Sequence, residues 1–437
     1  MPVERFLRRP RCSARSGPTP LGWAVAILCL AVTAAGAEPA APPAHESTPH
    51  GPSVPAASAV PPADAIAHYN RGLALEAQGD HEGAIREFRQ AIHLRPDMVA
   101  AHHGLGLALQ SKGDLDGAIK EYRKALHLQS DLPAVHHNLG LALEAKGDLD
   151  GAVSELREAV RLYPEDAAAH ATLAQALRAK GDRAGAVDAY RAAIKLKPDE
   201  PAYHYELGQT LAAGADVEGA IAAYRAALAL RPDLAPAHHH LGLLLQERGD
   251  LDGAVAEYRA TVKLQPKEPR ARANLATALL TKGDLAGAIA EFRALLQLQP
   301  ENTAARHGLG RALQAHGDLA EAIAEYQAAL RLKPNDPEIH QDLGRALQDK
   351  HDMEGAIGEY RAALRLKPDY ALAHYNLGIA LMAKNRPGEA AQAFRDYLKL
   401  IPDTPANHAW IERARSILQI LGRFEDKNGA NGRNGTH

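Results

Sequence analysis

The sequence predicts an all-α solenoid, a row of antiparallel helix hairpins stacked side by side. One phrase returns at a fixed spacing: "SKGDLDGAIKEYRKAL" begins at Ser111, and "AKGDLDGAVSELREAV" begins 34 residues later at Ala145. Related text starts at Glu247 and Thr281. Within each period the apolar residues recur at helical spacing. The chain is also rich in alanine and leucine, with only 5% aromatic residues, a composition that favours helix. The 437 residues therefore count as stacked units rather than as two or three separate cores.

The first element read from the N-terminus is a targeting segment. Arg5, Arg8, Arg9, Arg11 and Arg15 precede the apolar run "LGWAVAILCLAV" (Leu21–Val32) and the small residues Ala35-Gly36-Ala37. That order matches a secretory signal peptide over residues 1–37, and the run is short for a bilayer span of about 20 residues. Export to a periplasmic or extracellular space is expected. The alternative is an uncleaved N-terminal membrane anchor, in which case residues 1–37 would be the only membrane contact. Both cysteines, Cys12 and Cys29, lie in this segment, so the rest of the chain offers no thiol for a disulfide or a metal. Residues 38–63 are Pro/Ala-rich and read as an extended tether that cannot bury enough apolar surface to fold.

Residues 64–404 hold the array, ten units of 34 with no insertion, counted from Ala65. Leucine fills the eleventh place in all ten units, from Leu75 to Leu381, and the seventh in nine, which puts both on one helix face. Between the helices, Gly113 and Gly147 suit a left-handed helix end, while Asp114 and Asp148 suit the N-cap of the next helix. The second helix carries alanine at the twentieth place in every unit and an aromatic ring at the twenty-fourth in nine, with Leu156 the exception. Small residues at the eighth place (Gly72, Gly106, Ala174, Ala276) let that ring enter the groove between the helices. A proline such as Pro96 or Pro334 then stops the second helix. Each hairpin has apolar surface on two sides, so its neighbours must supply the missing core.

The ends differ as ends should. Arg71 replaces leucine in the first unit, where no earlier hairpin needs covering. After the last unit, Thr404-Pro405 is read as the start of a capping helix over 405–422, with Trp410, Ile411, Ala414, Ile417, Leu418 and Leu421 on its apolar stripe. The polar, Gly/Asn-rich residues 423–437 are expected to be an unstructured tail.

Catalytic signals are missing. The chain has no GxxxxGK[ST] loop, no GxSxG elbow and no HExxH helix, so it reads as a non-enzyme with no cofactor. A net charge of −3 gives no electrostatic reason to bind nucleic acid. Eight of the 22 histidines share the fourth place of a unit: His68, His102, His136, His170, His204, His238, His340 and His374. They read as rings packed at hairpin contacts. The alternative is a metal-binding ladder, centred on His238–His240, although no two fourth-place histidines stand three or four apart on one helix.

The 34-residue spacing and these residues resemble the tetratricopeptide repeat family over Ala65–Thr404. The resemblance implies a right-handed superhelix whose first helices line a concave groove, and a scaffold that binds a protein or an extended peptide there. It also implies that the fifth, sixth, ninth and twelfth places face inward. The candidate groove is then Tyr69, Asn70, Leu73, His103, Leu107, His137, Asn138, Leu141, Tyr205, His239, Asn274, Tyr375 and Asn376. Its asparagines are similar to an amide ladder that holds a partner's backbone in the repeats of O-linked GlcNAc transferase, which makes an accessory glycosyltransferase subunit a further alternative. A part in an envelope or secretion assembly is the narrower expectation for an exported member.

Overall fold

The computed structural model describes residues 62–433, with side chains described over 64–422. The predicted signal segment 1–37, and the tether 38–63 up to residue 61, lie outside the described residues. The chain divides into Met1–Ala59 and Val60–His437, and everything described belongs to the second unit.

The described residues form twenty-one helices, α1 to α21, in chain order. The first hairpin is α1 (Pro62–Ala77) with α2 (His81–Leu94), and the tenth is α19 (Ala371–Ala383) with α20 (Pro387–Leu400). Helix α1 begins inside the stretch read as tether, at Pro62, a residue suited to a helix's first turn. The expected all-α solenoid of paired antiparallel helices is the observed one. First helices of adjacent hairpins touch in units one to four and seven to ten, and no second helices touch to that extent. First helices therefore line the inner side of the stack and second helices the outer side.

The hairpin turn shows why its sequence repeats. Gly113 has φ 88° at the C-cap of its helix, and Asp114 N–H reaches back to Leu109 O at 2.9 Å. The Asp114 carboxylate then accepts from Gly117 N–H at 2.9 Å, capping the second helix. The same cap forms at Asp80, Asp148, Asp182, Asp216, Asp250, Asp284 and Asp352.

The core repeats too. Phe88, Tyr122, Leu156, Tyr190, Tyr258, Tyr326, Tyr360 and Phe394 are fully buried at the twenty-fourth place. The eighth-place small residue is a steric requirement of that burial. A Cβ added at Gly106 would stand 2.5 Å from Tyr122 Cε1.

The C-terminal cap departs from expectation. Thr404-Pro405 does not start it: residues 405–407 form a turn, closed by Asn407 N–H to Thr404 O at 2.9 Å and by the Asn407 amide to Pro402 O at 3.0 Å. Helix α21 runs His408–Arg433, so it continues through much of the stretch read as an unstructured tail. Ile411, Ala414 and Leu421 are buried as expected. Trp410 is 49% exposed and lies perpendicular to the Tyr375 ring of the last hairpin, with centroids 5.4 Å apart. Among the described residues, no helix is long and apolar enough to cross a membrane.

Candidate functional site

The inner face is built from the first helices, and most predicted groove residues lie half-buried along it. Tyr69, Leu73, His103, Leu107, His137, Leu141, Tyr205, His239, Asn274 and Asn376 are of this kind, and Asn70 is exposed. Two are not open to a partner. Asn138 is 9% exposed, and Tyr375 is 6% exposed beneath Tyr397, Phe394 and Trp410. The last hairpin has no successor, so the cap covers Tyr375.

At four junctions a fifth-place side chain bonds a sixth-place one in the next unit, 35 residues on. Asn138 Nδ2 donates to His103 Nε2 at 2.9 Å, so this amide is spent within the chain rather than offered to a partner. His137 Nε2 meets Thr172 Oγ1 at 3.1 Å, Tyr205 Oη meets His240 Nδ1 at 3.3 Å, and His307 Nε2 meets Asp342 Oδ2 at 2.8 Å. Comparing units place by place passes over Thr172 and Asp342 and sees His240 only as part of the "HHH". The signal was the offset of one place plus one period. Burial lowers His103 to about 4 and also pulls His137, His239 and His240 below the ordinary imidazole value. Neutral rings at these places suit a groove that accepts apolar and hydrogen-bonding groups.

Polarity varies along the groove. The ninth place presents Leu73, Leu107 and Leu141 in the first three units and exposed Arg311 and Arg345 in the eighth and ninth. Midway, Arg178 pairs with Glu206 at 2.7 Å and donates to Gln209 at 3.1 Å, and Gln209 Nε2 donates to Tyr205 Oη at 2.8 Å. Beside this cluster the ring of His240 stacks on Tyr224, with centroids 5.8 Å apart.

The fourth-place histidines point away from the groove's chemistry. His102 Nδ1 lies 2.6 Å from Glu121 of its own second helix, and Nε2 lies 2.9 Å from Pro96 O in the preceding turn. His136 (Glu155 and Ser130 O), His238 (Glu257 and Pro232 O) and His340 (Glu359 and Pro334 O) repeat the arrangement. Rings bonded at both nitrogens have no lone pair for a metal. Among the described residues, no three His, Cys, Asp or Glu side chains converge as a metal site. At the "HHH", His238 is held by Glu257 while His240 turns to Tyr205.

Models of the tetratricopeptide repeat match residues 171–235, 240–303 and 342–405, and further models match 279–347 and 133–176. A TPR repeat model matches 77–113 and 109–147. Curated proteins give no sequence match. Among solved structures, the C-terminal part of a TPR repeat-containing protein from Cytophaga hutchinsonii is 18% identical, with a TM-score of 0.51, over 55% of this chain and 99% of that one. Pseudomonas aeruginosa PilF is 24% identical, with a TM-score of 0.41, over 47% of this chain and 93% of its own. Yeast Tom70 is 16% identical, with a TM-score of 0.38, over 83% and 96%. With its hairpins, its turn chemistry and the repeat models that match along most of the array, the chain belongs to the tetratricopeptide repeat family.

Proposed function

We propose that this protein is a non-enzymatic scaffold that holds a peptide segment or a partner protein along its inner face. The observation that carries the reading is the row Leu73, Leu107 and Leu141. These leucines stand at one place of three consecutive first helices and stay half-buried, with no described side chain covering them fully. An apolar row flanked by Tyr69, Asn70, His103 and His137 gives a partner area from the leucines and orientation from the polar rims. Asn70, exposed, is the amide available to a partner backbone in this stretch.

The arginine-rich head, apolar run and Ala35-Gly36-Ala37 support export of the scaffold, and an envelope or secretion assembly is the setting we favour. The test is crosslinking and mass spectrometry of the tagged full chain in its host, read together with the mature N-terminus. A start at Glu38 and one dominant envelope partner, lost in a Leu73→Gln/Leu107→Gln/Leu141→Gln variant that keeps its helicity, is the expected result. Retention of the partner by that variant removes the groove from the reading, and an intact Met1 replaces export by anchoring.

A further inference from the structure

The bonding of the fourth-place histidines has a consequence for protonation. A glutamate carboxylate and a backbone carbonyl both accept hydrogen bonds, so a ring lying between them satisfies both only if both of its nitrogens carry hydrogen. Such a ring is an imidazolium. We propose that the Glu-paired histidines are protonation-gated clasps, which hold the turn between hairpins to both helices of the next hairpin when charged and let go of one partner when neutral.

Three sets of units support the assignment. Where the twenty-third place is glutamate, the fourth-place residue either is a histidine, as at His102, His136, His238 and His340, or is an arginine. The arginines reproduce both contacts with a charge that no accessible pH removes. Arg272 Nη1 donates to Glu291 at 2.7 Å and Nε to Pro266 O at 3.1 Å. Arg306 donates to Glu325 at 2.9 Å and to Pro300 O at 3.0 Å. Where the twenty-third place is alanine, at Ala189, Ala223 and Ala393, the histidines His170, His204 and His374 keep only the carbonyl bond. One N–H is enough for that, and a neutral ring supplies it. His68 opens the array with Glu87 at 2.6 Å and Arg71 3.7 Å from the same carboxylate oxygen.

The charged surroundings differ from clasp to clasp. His340 faces Glu359, with Arg365 opposing it weakly, and its bond to Glu359 holds it above the ordinary imidazole value. Glu121, the partner of His102, is shared with Lys124 at 2.8 Å, and His136 has Glu158 near as well as Glu155. A histidine raised in the folded state contributes stability that is complete below its unfolded value and is lost as pH rises through the folded one. The His340 clasp therefore tightens in acid and slackens in base.

His340 gives the cleanest test, because its fifth-place neighbour is Gln341 rather than another histidine. Hydrogen exchange of the full chain, corrected for intrinsic rates, is compared at about pH 5.5 and about pH 8, either side of the ordinary imidazole value. Amides flanking Pro334 should lose about two- to tenfold in protection at the higher pH, the usual worth of one hydrogen bond. Those flanking Pro300, held by Arg306, should not change. His340→Arg should abolish the pH response at Pro334 while keeping its protection, and Glu359→Gln should abolish it with protection likewise kept, because a neutral ring then donates to Pro334 O and accepts from the new amide. An equal response at Pro300 and Pro334 in the unmodified chain, or a His340→Arg chain that still responds, overturns the proposal.

Discussion

Tyr190 carries a hydroxyl that the fold does not use, and removing it should stabilise the protein. At the twenty-fourth place, Tyr122 donates to Gln110 at 2.7 Å, and Tyr258, Tyr326 and Tyr360 donate to Gln246, Gln314 and Gln348 at 3.0 Å. In each case the acceptor is a twelfth-place glutamine of the same hairpin. The fourth unit has Arg178 at that place, which cannot accept, and the Tyr190 hydroxyl is buried with no partner. Burial pushes its ionisation well up, so the group cannot escape as a phenolate. A satisfied hydrogen bond contributes about 0.5–1.5 kcal/mol, while an orphaned buried polar group costs about 1–3 kcal/mol. Tyr258→Phe should therefore lose about 1 kcal/mol and Tyr190→Phe should gain about 1 kcal/mol, opposite signs for the same chemical change.

Urea unfolding, with hydrogen exchange to localise the effect, reads both values. Repeat arrays open in pieces, so exchange near residues 167–200 and 235–268 carries the comparison rather than one global midpoint. Arg178→Gln provides the control by restoring an acceptor, and Tyr190→Phe made on that background should no longer stabilise. If Tyr190→Phe and Tyr258→Phe destabilise alike, the pairing of places twelve and twenty-four is not what satisfies the tyrosines.

Two further outcomes follow from local geometry. Ala215 ends its helix at φ 63°, where seven other units place glycine, so Ala215→Gly should raise stability by about 0.5–1 kcal/mol in thermal denaturation. His103 is a neutral ring, lowered to about 4 by burial, whose Nε2 accepts from Asn138. A base lowered in the folded state binds fewer protons than the unfolded chain, so its contribution is present above about pH 6.5 and lost as pH falls through about 4. Acid titration should show a loss on the order of 2 kcal/mol, allowing for partial exposure, that is reduced in His103→Phe.

The solenoid was legible because its determinants are local and repeated. Gly113 and Asp114 make their turn with residues no more than five away, and Tyr122 needs Gly106 within its own hairpin. A single unit states each of those contacts, and most of the ten units restate them. The groove is different in kind, because its contacts join places five and six of successive units. Asn138 looks like a free amide until His103, 35 residues earlier, is set beside it. Composition by place records only that both residues are polar.

The ends were least legible for the same reason. Tyr375 stands where Tyr69 and Tyr205 stand and reads as their equal. Its surroundings, however, are Tyr397 and Trp410, supplied by a place that is alanine in most units and by a helix outside the period. The Tyr375 hydroxyl is buried with no partner there, whereas Tyr205 receives a bond from Gln209 and meets His240. In a repeat array, a residue's role is therefore set by its place in the unit for the core and by its neighbouring units for the surface. The inner face consequently changes character along its length while the hairpins beneath it do not, as a scaffold needs if it is to recognise one partner with a repeated part.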